Sequence, residues 1–177
     1  HITNAELSLD DAKRIFEPDF IRQLKTFYMC GNLGDPIMAK DTLSTFEWIR
    51  SINPNVWLSM NTNAGAKDDY WWYRLAQTFG RKGTVIFSVD GLSDTNHLYR
   101  QNVRWDKVEK AMEAFIEGGG RARWDYLIFE HNEHQVETAR KLAEQKGFER
   151  FQAKSTARFV TTKLDKKDEH EAKKHKS

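Results

Sequence analysis

The segment Gly31-Asn32-Leu33-Gly34-Asp35-Pro36 is the part of this chain best suited to close contact with a bound polar group. It follows the apolar run Thr26-Phe27-Tyr28-Met29-Cys30 and precedes a helical pattern. Gly31 and Gly34 lack a Cβ, so the backbone there can come close to a ligand. The same residue types also suit an ordinary strand-to-helix turn. Three further segments carry polar groups: Asn61-Thr62-Asn63, Ser88-Val89-Asp90-Gly91 with Arg100 beyond it, and His131-Asn132. Ser88 also suits the end of a buried strand, and Arg100 a surface pair with an acid. Asp35 and Asp90 with a nearby histidine would suit metal-assisted hydrolysis. His97, His131 and His134 follow no recognised ligand spacing, so no metal site is assigned to them. Cys30 is expected to be a buried core cysteine, packing as a small hydrophobe. Trp57, Trp71 and Trp72 are expected to pack in the core rather than to stack on bases.

Holding these residues in place requires a scaffold, and the apolar periodicity supplies one. Ser8-Leu9-Asp10-Asp11 is a helix start: Ser8 can accept first-turn N–H groups, and the acids suit the positive end of the helix dipole. Leu9, Ala12, Ile15 and Phe16 follow at helical spacing, and Pro18 is expected to end that helix. Strands are expected at Phe27–Cys30, Val56–Met60, Val85–Val89, Trp124–Phe129 and Phe151–Ala153, the first of them buried. Helices are expected at Asp41–Arg50, Asp68–Phe79, Asp106–Ile116 and Glu133–Lys146, the last closed by Gly147 in the left-handed conformation. Strands alternating with helices imply a parallel sheet with right-handed crossovers. Five strands are too few for a closed eight-stranded barrel, which leaves an open partial barrel or a doubly wound sheet. In either, ligands sit at the carboxyl ends of the strands. The loops after Cys30, Met60, Val89 and Phe129 are therefore expected on one face.

The composition sets limits. The 177 residues suit one domain, with 39% hydrophobic and 31% charged residues, as in a folded globular protein. A net charge of +2 gives no footing for nucleic-acid binding, which needs a concentrated basic face. One cysteine excludes an internal disulfide and an all-cysteine metal site within one chain. No apolar stretch approaches the roughly 18 residues of a membrane span. The start, His1-Ile2-Thr3-Asn4, has no secretory pattern, and the chain is expected to be cytoplasmic. Residues 1–160 read as one α/β domain and 161–177 as a charged, disordered tail.

The four loops, in this order and each at a strand end, resemble the radical S-adenosylmethionine (radical SAM) family. Gly31 to Pro36 resembles the Gly-Gly-Glu-Pro signature after the family's second strand, whose backbone holds the amino group of S-adenosylmethionine. Leu33 stands where the family has glycine, and Asp35 where it has glutamate, with the same charge on a shorter side chain. Thr62-Asn63-Ala64-Gly65, followed by Tyr70-Trp71-Trp72 and Leu75, resembles the family's Thr-Asn-Gly segment. Ser88-Val89-Asp90-Gly91 and Arg100 resemble the fourth-strand motif, in which serine and arginine hold the ribose or carboxylate of the cofactor. Asn132 and the helix after it resemble the segment following the fifth strand, and Ser155 to Phe159 the region after the sixth. The pattern is nearest the peptide-modifying SPASM/twitch branch, whose extra cluster domains this chain does not show.

The resemblance implies a partial, open parallel β/α barrel of about five strands. It implies a cofactor site of Gly31, Asn32, Gly34, Asp35, Thr62, Asn63, Ser88, Asp90, Arg100 and Asn132. Intact members cleave S-adenosylmethionine reductively at a 4Fe–4S cluster and use the resulting radical on a substrate. The cluster is held by CxxxCxxC, because three irons each take a thiolate while the fourth chelates the cofactor. That motif would precede Ser8, and residues 1–7 contain no cysteine. The expectation is thus a truncated core, inactive as this chain and carrying no cofactor of its own. A missing first strand would leave the edge at Phe27–Cys30 open, favouring self-association. The alternative is a non-catalytic α/β module whose loops bind a small polar ligand or a protein partner.

Overall fold

The structure is a computed structural model and describes residues 6–31 and 34–155. Asn32 and the charged segment 161–177 lie outside the described residues, as does the resemblance beyond Ser155. Ser8 caps the first helix, α1 (Leu9–Ile15), and Asp11 returns the bond to the Ser8 backbone, completing a capping box. Pro18 does not merely end that helix. It occupies the first turn of a second one, α2 (Pro18–Gln23), where its missing N–H is not needed.

Five strands follow: β1 (Thr26–Met29), β2 (Trp57–Thr62), β3 (Gly83–Ser88), β4 (Ala122–Ile128) and β5 (Arg150–Ser155). Between them run α3 (Thr42–Ile52), α4 (Asp69–Phe79), the short α5 (Asn96–Tyr99), α6 (Trp105–Glu117) and α7 (Val136–Lys146). All neighbouring strands pair in parallel, and their order in the sheet is the order in the sequence. Sequential order decides between the two architectures left open above. A doubly wound sheet must reverse direction at a switch point, and this one does not. By the right-handed rule for such crossovers, the connecting helices α3, α4, α6 and α7 fall on one face, and the sheet curls as an open barrel.

Burial confirms the two faces. Leu58, Met60, Val85, Phe87, Trp124 and Tyr126 are all fully buried under the helices. Their in-register neighbours share that face, and the alternate residues point the other way. The helices present matching stripes, such as Val108, Ala111, Met112 and Phe115 on α6. Gly147, at φ 84°, ends α7 in the left-handed conformation as expected. At the opposite end from the loops, Arg50 donates to the carbonyls of Thr78, Phe79 and Lys82 and so ties α3 to the turn after α4.

Two expectations fail at β1. The strand is not buried: its residues alternate between exposed and half-buried. Cys30 is exposed rather than in the core. The physical reason is position. β1 is the end strand, with a partner on one side only among the described residues, and the helices cover one of its faces.

Candidate functional site

The carboxyl ends of the strands open onto a cavity of about 500 Å³. Gly31, Gly34, Asp35, Thr62, Asn63, Ser88 and Arg100 all line it, drawn from the first three expected loops. The Gly31 turn is tight: a Cβ at Gly31 would stand 2.1 Å from the Gly34 carbonyl oxygen, so only glycine closes this loop. Asp35 then does two jobs. Its Oδ1 accepts from the Ile37 N–H at 3.2 Å, capping the single helical turn Pro36–Met38. Its Oδ2 accepts from the Asn63 N–H at 2.6 Å, which locks the first loop to the second. Thr62 and Asn63 shape the second loop by accepting from the Ala64 and Gly65 N–H groups at 3.0 and 2.9 Å.

The third loop places Arg100 through an acid. Arg100 Nε and Nη2 each lie 2.7 Å from Asp90 Oδ2. The Asp90 side chain is 1% exposed, while Arg100 reaches the cavity. Burial pushes the Asp90 carboxyl above its ordinary range, and the Arg100 charge and the Leu127 N–H work against that rise. Asp90 Oδ1 accepts from the Leu127 N–H at 2.6 Å, so the acid also fixes the end of β4. Asn132 is fully buried. Its amide donates to the Asp90 and Leu127 carbonyls, both at 2.9 Å, and its carbonyl accepts from the Phe129 N–H at 2.7 Å. Asp90 and Asn132 therefore stand behind the cavity wall as struts. His131 stacks on Phe129 with ring centres 5.3 Å apart and does not line the cavity.

The cavity also uses Asn61, from the second polar segment, and residues that were not anticipated: Cys30, Asp125, Leu127 and Lys154. All of them lie within or beside strands, at positions that alternate with the helix-covered residues. The signal for them was the alternation along β4, where Arg123 and Asp125 interleave with the buried Trp124 and Tyr126. Asn61 Oδ1 is buried without a partner among the described residues, an acceptor open to an N–H or O–H of a ligand. The Tyr28 hydroxyl is pushed up to about 12, first by burial and then by its hydrogen bond with Cys30.

These donors and acceptors fit a small zwitterionic molecule. They offer a carboxylate and open glycine backbone on one side, a guanidinium on the other, and an unsatisfied amide oxygen between. They do not fit an iron–sulfur cluster, for which one exposed thiol cannot stand in for three thiolates. Among the described residues no group of three or more His, Cys, Asp or Glu could hold a metal ion. None of the described helices is long and apolar enough to cross a membrane.

No protein-family model and no curated protein matches the chain. Solved structures do match its fold. Crystalline SuiB from Streptococcus suis gives a TM-score of 0.68 at 18% identity, over 88% of this chain and 35% of SuiB. SuiB bound to S-adenosylmethionine gives 0.66 at 19% identity, over 88% of this chain and 35% of that one. Native anSMEcpe with bound AdoMet gives 0.64 at 18% identity, over 87% of this chain and 44% of that one. The chain thus spans well under half the length of these proteins. At such identities the likeness establishes the fold alone: an open parallel β/α barrel shared with these proteins.

Proposed function

We propose that this chain carries the S-adenosylmethionine-binding core of a radical SAM enzyme, nearest the SPASM/twitch branch. The observation that supports this most is the polar cavity at the strand ends, in a fold shared with proteins solved with S-adenosylmethionine. Asp35 keeps acceptor capacity beyond its two backbone bonds, since a carboxylate has about four lone-pair sites. It is placed to receive the cofactor ammonium beside Gly34. Arg100 and Ser88 face the carboxylate or ribose, and Asn61 Oδ1 takes a remaining hydrogen. In an intact enzyme of this class the cluster and the cofactor supply a carbon radical, while the protein positions and shields them. This chain by itself binds and orients the cofactor.

Binding is expected to be weak. Solvent-exposed ion pairs contribute about 0 to 1 kcal/mol each. Affinity for S-adenosylmethionine should then be roughly millimolar, near −4 kcal/mol. Calorimetry on the wild type, Asp35→Ala and Arg100→Ala checks the placement. Micromolar binding indifferent to both substitutions would show the site to be elsewhere.

A second reading, a non-catalytic ligand-binding module, draws on the single cysteine. Anaerobic reconstitution with iron and sulfide is expected to give no stable 4Fe–4S cluster on this chain. Broad visible absorption with about four irons per chain, lost in Cys30→Ser, would contradict the ligand count.

A further inference from the structure

The helix-free face of the sheet carries charges that cofactor binding leaves unused. Arg123 and Asp125 stand two residues apart on β4, and Lys154 stands on β5 in register with Leu127. Arg123 grips Asp125 with Nε at 2.6 Å from Oδ1 and Nη2 at 3.0 Å from Oδ2. Lys154 Nζ reaches Oδ2 of the same carboxylate at 2.5 Å. Two cations thus share one acid. The two-pronged grip of Arg123 already answers the charge of Asp125.

An ammonium has three donors and no acceptor, and Lys154 uses one of them among the described residues. Its side chain is 36% exposed and that of Asp125 15%, and both line the cavity. Across the cavity the charge is reversed, because Asp35 stands there with only backbone partners. Arg100 is matched by Asp90. The cavity is therefore polarised, acidic beside β1 and basic beside β5. Cys30 and Gly31, beside β1, line the same cavity as Asp125 and Lys154, so the two sides face one space.

We propose that Lys154, backed by Arg123 and Asp125, anchors a carboxylate of the molecule that shares the cavity with S-adenosylmethionine. The inference rests on the cofactor occupying the Asp35 side, as proposed above. It makes the substrate a carboxylate-bearing molecule held at the β5 side. A carboxylate could also come from the cofactor itself, and the two sources separate experimentally.

Glutarate serves as the probe, titrated into the full chain by NMR, with S-adenosylmethionine titrated in parallel by calorimetry. Glutarate should bind the wild type and lose about tenfold in Lys154→Gln, which is about 1.4 kcal/mol. Lys154→Arg should restore it. Asp125→Asn should tighten it, because the ammonium loses its internal competitor. A merely damaged fold would weaken binding in both neutralising variants, so the opposite signs protect the test. Circular dichroism confirms that each variant is folded. S-adenosylmethionine affinity should not change in Lys154→Gln. The anchor is overturned if glutarate does not bind, or binds Lys154→Gln as well as wild type. It is also overturned, as a substrate anchor, if Lys154→Gln weakens S-adenosylmethionine instead. If S-adenosylmethionine fails to bind while glutarate still depends on Lys154, the anchor stands and the cofactor proposal falls.

Discussion

Asp90 is the residue through which the third loop holds its shape. It is a charge taken out of water, tied to Arg100 and to the backbone of β4. Removing one member of such a pair strands the other, at about 3 to 5 kcal/mol. Arg100 retains some solvent, so Asp90→Ala is expected near the lower figure, measured by urea unfolding. Stability equal to wild type would mean that Asp90 braces nothing. Its titration has a definite sign. The folded carboxyl is raised above its unfolded value of 3.8 because burial outweighs Arg100. The proton-linked share of stability is therefore full below pH 3.8 and is lost as pH rises through the folded value, while the bonds of Asp90 to Arg100 and Leu127 remain. Asp11 behaves oppositely. Hydrogen bonds from the Ser8 hydroxyl and N–H, then Arg14, hold it at about 2. Its contribution is present above pH 3.8 and lost as pH falls through about 2. Carbon-detected carboxyl NMR should show Asp11 titrating well below Asp90, and the reverse order would refute both assignments.

At the scale of elements, β1 is the exposed flank. Parallel strands send alternate residues' backbone groups to opposite sides, and the Lys25 carbonyl already accepts from the Trp57 N–H. By that alternation Phe27 and Met29 bond to β2, while Tyr28 offers its N–H and carbonyl on the outer side. We propose that a second copy pairs there. Sedimentation should show concentration-dependent association that Tyr28→Pro abolishes, since proline removes the donor without touching the β1–β2 ladder. A strict monomer at high concentration would end the proposal. The same strand shows what the sequence could and could not reveal. Helix α6 and the strand β3 were legible because one wholly buried stripe or run fixes the period. Thr26–Met29 is equally apolar, yet its burial depends on who sits beside it, which no local pattern states. Strand-end loops were legible from glycine, asparagine and aspartate. That Asp90 and Asn132 turn inward was not, because a buried strut and a ligand contact use the same residue types. Lys154 and Asp125 lie inside strands rather than in loops, and only their alternation with apolar neighbours marks the second face of a sheet.

Over the whole molecule, one line of aromatic contacts runs under the helices from β1 toward β5. Phe27 meets Phe46, Phe46 meets Phe79, and Phe79 meets Phe115, with ring centres 5.8, 4.8 and 6.2 Å apart. Phe115 meets Phe87, which meets Phe148, and Phe148 meets Trp124, at 5.8, 5.7 and 5.5 Å. Phe87 lies near the middle, fully buried, and also touches Trp72 at 5.6 Å. A ring deleted at a site walled in by other rings leaves a cavity that its neighbours cannot fill, because each is held by the next. Phe87→Ala is therefore expected to cost about 3 to 5 kcal/mol. Trp124 in turn meets Phe151 on β5 at 5.6 Å, so the line joins the first strand to the last and the loss should be shared by the whole barrel. Tryptophan fluorescence and far-ultraviolet circular dichroism should then report the same lowered urea midpoint in a single transition. If the two probes separate, with one part of the sheet melting at its wild-type midpoint, the barrel does not fold as one unit. The carboxyl-end cavity would then rest on only part of the sheet.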